Sequence, residues 1–167
     1  MSKFKRIALI GRSGHQQATE TIARLVAYLR AKDLEIWVVD DIASIDGFSD
    51  LPHCTLEQIG QKVDLAVVVG GDGSLLGASR ALANFGTPVL GINRGTLGFL
   101  TDIRPSEAIE KVGQALLGQF TEEKRQSPHC RPLKPFRSAG FNRLQSPSGA
   151  ARGPYGLGRR QWWERLG

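Results

Sequence analysis

Val63-Asp64-Leu65-Ala66-Val67-Val68-Val69-Gly70-Gly71-Asp72-Gly73-Ser74-Leu75-Leu76 is the stretch that decides the fold. A continuously apolar, largely β-branched run, Leu65 to Val69, enters a glycine turn, and a helical pattern follows at Leu75, Leu76, Ala78, Ser79 and Leu82. A strand that is apolar throughout, instead of alternating, is buried on both faces, as in a parallel sheet covered by helices. Strand, glycine turn and helix in that order form the corner where α/β folds handle phosphate. Its glycines let the backbone bend sharply and bring N–H groups close to an anion.

Asp72 is the unusual residue of that turn. A carboxylate there repels phosphate and is costly unless it has another task. The P-loop spacing is absent, since no Lys follows. The dinucleotide fingerprint G-x-G-x-x-G is also unmet: Gly71 and Gly73 fit, but Leu76 stands at the third glycine position and Gly77 comes one later. Two readings stay open. Either the turn is a tight corner in which Asp72 only caps the helix, or Asp72 accepts a hydrogen bond or a proton from a sugar hydroxyl while the neighbouring backbone serves phosphates.

Working outward, Arg6 to Ile10 reads as a first strand, followed by a turn at Gly11, Arg12, Ser13 and Gly14. From Ala18 the spacing of Ile22, Leu25, Val26 and Leu29 predicts a helix with one apolar stripe, and Arg24, Arg30 and Lys32 lie off it as a solvated face. Leu34 to Val39 reads as a second strand, so the pair implies a right-handed parallel crossover. Asp40 to Pro52 reads as a surface loop, with His53 and Cys54 as a loop pair. Thr55 to Ile59 reads as a short helix, with Thr55 as N-cap and Gln58 completing a weak capping box. Beyond the central turn, the helix runs to about Asn84 and closes at Phe85-Gly86. Pro88 to Ile92 predicts another buried strand. Asn93 to Asp102 is a second glycine-rich loop, and Pro105-Ser106 start a last helix with Ala108, Ile109, Val112, Leu116 and Leu117 on one face. The fold class is α/β, a Rossmann-like open parallel sheet. Ligands of such sheets sit beyond the carboxyl ends of the strands, so both glycine loops share one rim. There Arg94 is either an exposed loop arginine or a phosphate or carboxylate contact, while Leu97, Phe99 and Leu100 serve packing.

Charge is unevenly spread. Gln126 to Gly167 holds seven Arg, one Lys and one Glu, a balance of +7, whereas residues 1–125, with 14 bases and 15 acids, carry −1. The net +6 therefore says nothing about the partners of the folded part. Cys54 and Cys130 are too few for a disulfide framework or zinc site, and His15, His53 and His129 show no metal-ligand spacing. No apolar run reaches the length of a membrane span, and the apolar start is too short for a signal peptide, which places the protein in the cytoplasm.

Gly70 to Ser74 (GGDGS) and Ile92 to Asp102 (INRGTLGFLTD), about twenty residues apart, resemble the bacterial NAD kinases from the first strand to about Arg125. The first turn alone is also similar to phosphofructokinases and diacylglycerol kinases; the second loop gives the pair its specificity. The resemblance implies the N-terminal domain of the NAD kinase fold over residues 1–125. It implies transfer of the γ-phosphoryl of ATP, or of polyphosphate, to the 2′-hydroxyl of the adenosine ribose of NAD, giving NADP, with a divalent metal such as Mg. Asp72 then matches the catalytic aspartate that orients the 2′-hydroxyl and accepts its proton. Gly73 matches the same NAD-contacting turn, and Gly70, Gly71, Asn93 and Arg94 fall among the cofactor contacts. Phosphoryl transfer through a loose transition state needs positioning and charge neutralisation more than a strong base.

The likeness stops at the composition break. Such kinases continue into a larger β-rich, oligomer-forming domain with an Asn-Glu pair and a Gly-Ser-Thr stretch, and neither occurs here. Residues 126–167 contain no Val, Ile or Thr but five Pro and six Gly, which predicts an irregular or disordered tail without strands. A frameshift near Lys124 to Ser127 in a GC-rich gene would produce this break, and on that reading the chain as written has little or no NAD kinase activity. The alternative is a non-catalytic α/β binding unit whose basic tail, with Trp162 and Trp163, binds nucleic acid.

Overall fold

The computed structural model describes residues 3–94, 100–101, 103–126 and 140–145, the last six and 122–126 as backbone only. The central strand of the sequence argument is β4, Leu65–Val69, buried at every position. It lies beside β1, Arg6–Ile10, and β5, Val89–Ile92, in parallel register. β2, Glu35–Val39, pairs with the far side of β1, and the two-residue β3, His53–Cys54, pairs with β2. The order of this parallel set is β3-β2-β1-β4-β5. The chain therefore winds outward from β1 in one direction, returns, and winds outward from β4 in the other. A crevice opens between β1 and β4, where the winding reverses.

Helices cover the sheet where the apolar spacing places them. On α1, Gln16–Arg30, the stripe Ile22, Leu25, Val26 and Leu29 is buried, and Arg24, Arg30 and Lys32 are exposed. Helix α4, Asp72–Leu82, starts directly at the glycine turn, and its extension Ala83–Phe85 ends at Gly86, whose positive φ of 66° closes the helix. A single turn, Pro105–Glu107, leads into α5, Ala108–Leu116.

Several expectations are corrected. The segment read as a surface loop begins with a helical turn, α2, Asp40–Ala43, and sinks Ile42, Phe48 and Leu51 into the core. His53 and Cys54 form the edge strand β3, because the carbonyl-to-amide ladder of β2 accepts even a two-residue partner. Thr55 stands at the N-cap of α3, Leu56–Ile59, but makes no side-chain bond, so the capping box with Gln58 does not form; Gln58 N instead bonds Thr55 O. Leu117 lies past the end of α5 and is 67% exposed, not part of its apolar face. The expectation of a strand-free tail fails at Gly140–Gln145. That segment is strand β7, parallel to β5 and antiparallel to β6, Thr121–Gln126. Ladder bonds are made by backbone groups, so a strand against a waiting edge needs no Val, Ile or Thr. The remaining tail, the readings placed on Leu97, Phe99, Cys130 and the two tryptophans, and the expected disorder lie outside the described residues.

Candidate active site

The turn after β4 divides its work between its glycines. A side chain on Gly70 would sit 2.7 Å from Ser74 Cβ, and its N–H donates to Ile92 O across the β4–β5 ladder. Gly70 therefore allows a close packing. Gly71, Gly73 and Gly77 differ: a Cβ on any of them would meet nothing within 4 Å, and none has a positive φ. Neither backbone conformation nor packing demands glycine there. All three leave open space along the start and one face of α4.

Asp72 is the first residue of α4, behind the N-cap Gly71. Its carboxylate does not close the helix end. Oδ1 accepts hydrogen bonds from Leu100 N at 3.0 Å, Thr101 N at 3.1 Å and Thr101 Oγ1 at 3.1 Å. Asn93, buried to 2% exposure, donates Nδ2 to the same Thr101 Oγ1 at 3.0 Å and to Thr101 O. Beyond it, Asn93 N bonds Ile103 O, returning the loop to the sheet. The two glycine loops are thus fastened by one polar cluster, Asp72, Thr101 and Asn93. Of the residues that the sequence groups together, Asn93 spends its amide donors within this cluster, whereas Arg94 beside it is exposed.

Two clefts flank the turn. The first, of about 320 Å³, lies at the winding reversal. It is lined by Gly11 and Arg12 after β1, Asp40 and Asp41 after β2, Thr55 before α3, and Gly73, Ser74 and Gly77 of α4. The two acids outnumber Arg12, and carboxylates accept from hydroxyls while repelling phosphate, so this lining suits a sugar. The second, of about 510 Å³, is lined by Gly14, His15, Gln16 and Gln17 at the start of α1, and by Gly71, Asn93 and Arg94. Arg94 Nη1 lies 2.8 Å from His15 Nε2 across it. Cys54 lines neither cleft, and burial and then the charge of Asp40 hold its thiol above the ordinary value.

Among the described residues no group of three or more His, Cys, Asp or Glu side chains could hold a metal ion. No described helix is long and apolar enough to cross a membrane.

Residues 7–120 match the family described as ATP-NAD kinase, N-terminal domain. The chain belongs to the NAD kinase family. Curated NAD kinases of Pseudomonas aeruginosa (strain PAO1) and Pseudomonas putida (strain GB-1) are each 50% identical to it over 125 residues, and that of Azotobacter vinelandii is 48% identical. The match covers 75% of this chain and 42% of each of these NAD kinases, so the chain spans less than half of their length. A solved structure titled as a yeast NADH kinase complexed with NADH shares the fold, with a TM-score of 0.63, 18% identity, and coverage of 84% of this chain and 49% of that one.

Three residues of this candidate site escape the sequence reading. Asp40 carried an available signal, an acid directly after the second strand of a Rossmann-like unit, where ribose hydroxyls are bound. His15 and Thr101 carried none, because their partners Arg94 and Asp72 lie 79 and 29 residues away in the chain.

Proposed function

We propose that this chain forms the catalytic α/β half of an NAD kinase, in which Asp72 acts on the 2′-hydroxyl of the adenosine ribose of NAD. The observation that carries the reading is the fastening of Asp72 Oδ1 by Leu100 and Thr101, which fixes a carboxylate on the rim between the two clefts. A carboxylate needed only as a helix cap would bond the helix's own N–H groups. In the reaction, the 2′-oxygen attacks the γ-phosphorus of ATP or the terminal phosphorus of a polyphosphate. The bond to the bridging oxygen breaks, the shortened donor leaves, and the hydroxyl proton passes to Asp72. The bare glycine face of α4 and Asp40 give room and a hydroxyl acceptor for a nucleoside in the first cleft.

Donor phosphates bring their own Mg. No step above is routed through that ion. The reaction is placed in the cytoplasm. With less than half of the relatives' length covered, the 167 residues alone are expected to turn over little or no NAD.

The test is a domain exchange. Residues 1–125 replace the matching 125 residues of the Pseudomonas aeruginosa NAD kinase, and NADP formation is followed with NAD and either ATP or polyphosphate. The chimera is expected to make NADP. A folded chimera that binds both substrates and makes none would refute the reading.

A further inference from the structure

The hydrogen bonds that join Asn93 and Thr101 to Asp72 have a fixed direction. Asn93 Nδ2 lies 3.3 Å from Thr101 O and 3.0 Å from Thr101 Oγ1. A backbone carbonyl only accepts, so the amide nitrogen of Asn93, not its oxygen, must face it. The second proton of that nitrogen then points at Oγ1, which accepts it. The single proton of the Thr101 hydroxyl is left for another acceptor, and Asp72 Oδ1 lies 3.1 Å away. Donation therefore runs one way, from Asn93 to Thr101 to Asp72, and ends on the carboxylate.

This chain is anchored deep and ends at the rim. Asp72 is half-buried, whereas Asn93 is 2% and Thr101 0% exposed. Asn93 follows β5 directly, and its backbone N–H bonds Ile103 O, so its base is part of the sheet. The last torsion of an aspartate side chain is broad and soft, and a carboxylate left to itself turns about it. Here Leu100 N, Thr101 N and Thr101 Oγ1 all converge on Oδ1 and select one orientation. A reacting group held this way by buried neighbours is aligned before the substrate arrives. Asn93 borders the second cleft, but its amide donors are committed to Thr101, so it bears on the reaction through Thr101.

We propose that Thr101 and Asn93 are positioning residues for the phosphoryl transfer: Thr101 Oγ1 holds the Asp72 carboxylate in the plane in which it meets the substrate hydroxyl, and Asn93 keeps the Thr101 proton directed at Asp72. The proposal rests on the reading of Asp72 as the group that takes up the hydroxyl proton. That proton leaves the substrate oxygen for the carboxylate and goes no further. Thr101 and Asn93 keep their own protons throughout.

The hold on the carboxylate is read without turnover in the 167-residue chain, from the Leu100 amide proton in a nitrogen-15 correlation NMR spectrum. Thr101→Val should loosen the carboxylate and shift that proton upfield, and Asn93→Ala, which leaves Thr101 itself intact, should shift it the same way. In the Asp72→Asn background both shifts should shrink, because the effect travels through the carboxylate. The consequence is read in the domain-exchanged enzyme. Thr101→Val should lower kcat by about tenfold to a hundredfold with the KM for NAD nearly unchanged, the loss expected when a reacting group is slightly misplaced. Thr101→Ser keeps the hydroxyl and should recover most of the rate. Asn93→Ala should lower kcat several-fold, and should cost nothing further once Thr101 is Val. In the Asp72→Asn background neither substitution should lower kcat again, since residues acting as one unit are not additive. Circular dichroism verifies that each variant is folded, and Asn93→Ala carries the comparison where Thr101→Val does not fold. Leu100 shifts that are equal with and without the Asp72 carboxylate overturn the proposal. So does a rate loss that persists in the Asp72→Asn background, or a Thr101→Ser variant as slow as Thr101→Val. The two claims separate: an active chimera indifferent to Thr101→Val and Asn93→Ala keeps the kinase and sinks the positioning role. A chimera that makes no NADP, while Leu100 still responds through Asp72, keeps the hold on the carboxylate and sinks the kinase.

Discussion

Thr101 has no exposed surface, yet its hydroxyl donates to Asp72 and accepts from Asn93, using one small group in both directions. Valine has the same shape without either bond. Thr101→Val should therefore leave buried Asn93 and half-buried Asp72 each short of one bond and destabilise the chain by about 2 kcal/mol, measured by chemical denaturation. Ser79 is the opposite case. It is 1% exposed, and among the described residues its Oγ has no hydrogen-bond partner. Ser79→Ala removes an unpaired buried hydroxyl and should raise stability by about 1 kcal/mol in the same assay. Asp72 was legible in sequence as an acid misplaced in an anion turn, but its partners were not, since hydrogen bonds across 29 residues leave no periodic trace.

Among the elements, α4 begins at Asp72 and borders the first cleft through Gly73, Ser74 and Gly77. Gly77 stands in its interior, where glycine costs about 1 kcal/mol relative to alanine. Since an added Cβ would meet nothing, Gly77→Ala should stabilise the chain by about that amount and at the same time raise the KM for nucleotide in the domain-exchanged enzyme. A stabilised variant with unchanged KM would show that the bare face is not a binding surface. Elements with a full apolar period, such as the stripe of α1 and the runs of β1, β4 and β5, were readable directly from the residues. α2 and β3, four and two residues long, are shorter than any period and leave no pattern in the sequence. Gly140–Gln145 was missed because composition reports on side chains, whereas an edge strand is recruited by the unpaired backbone of its neighbour.

For the whole molecule, stability and site lie at opposite ends of the sheet. At the amino end, Asp64 accepts from the Arg6 guanidinium at 2.7 Å and from the N–H groups of Lys5 and Arg6. Burial pushes its carboxyl up, but these bonds outweigh burial and hold it below the ordinary value. The stabilisation from a depressed carboxylate is complete above the unfolded pKa of about 4 and is lost as pH falls through the lower folded value. Asp64→Asn should therefore lower the melting temperature at pH 7, and the gap to the wild-type chain should narrow towards pH 3. At the carboxyl end, the acidic and basic clefts meet at Asp72. Asparagine keeps an oxygen for Leu100 and Thr101 but cannot take up a proton, so the decisive measurement is steady-state NADP formation by the domain-exchanged enzyme with Asp72→Asn. The account predicts a kcat lower by about a hundredfold to ten-thousandfold, with the melting temperature and the KM for NAD nearly unchanged. Retained turnover, or a loss that merely follows unfolding, would contradict it.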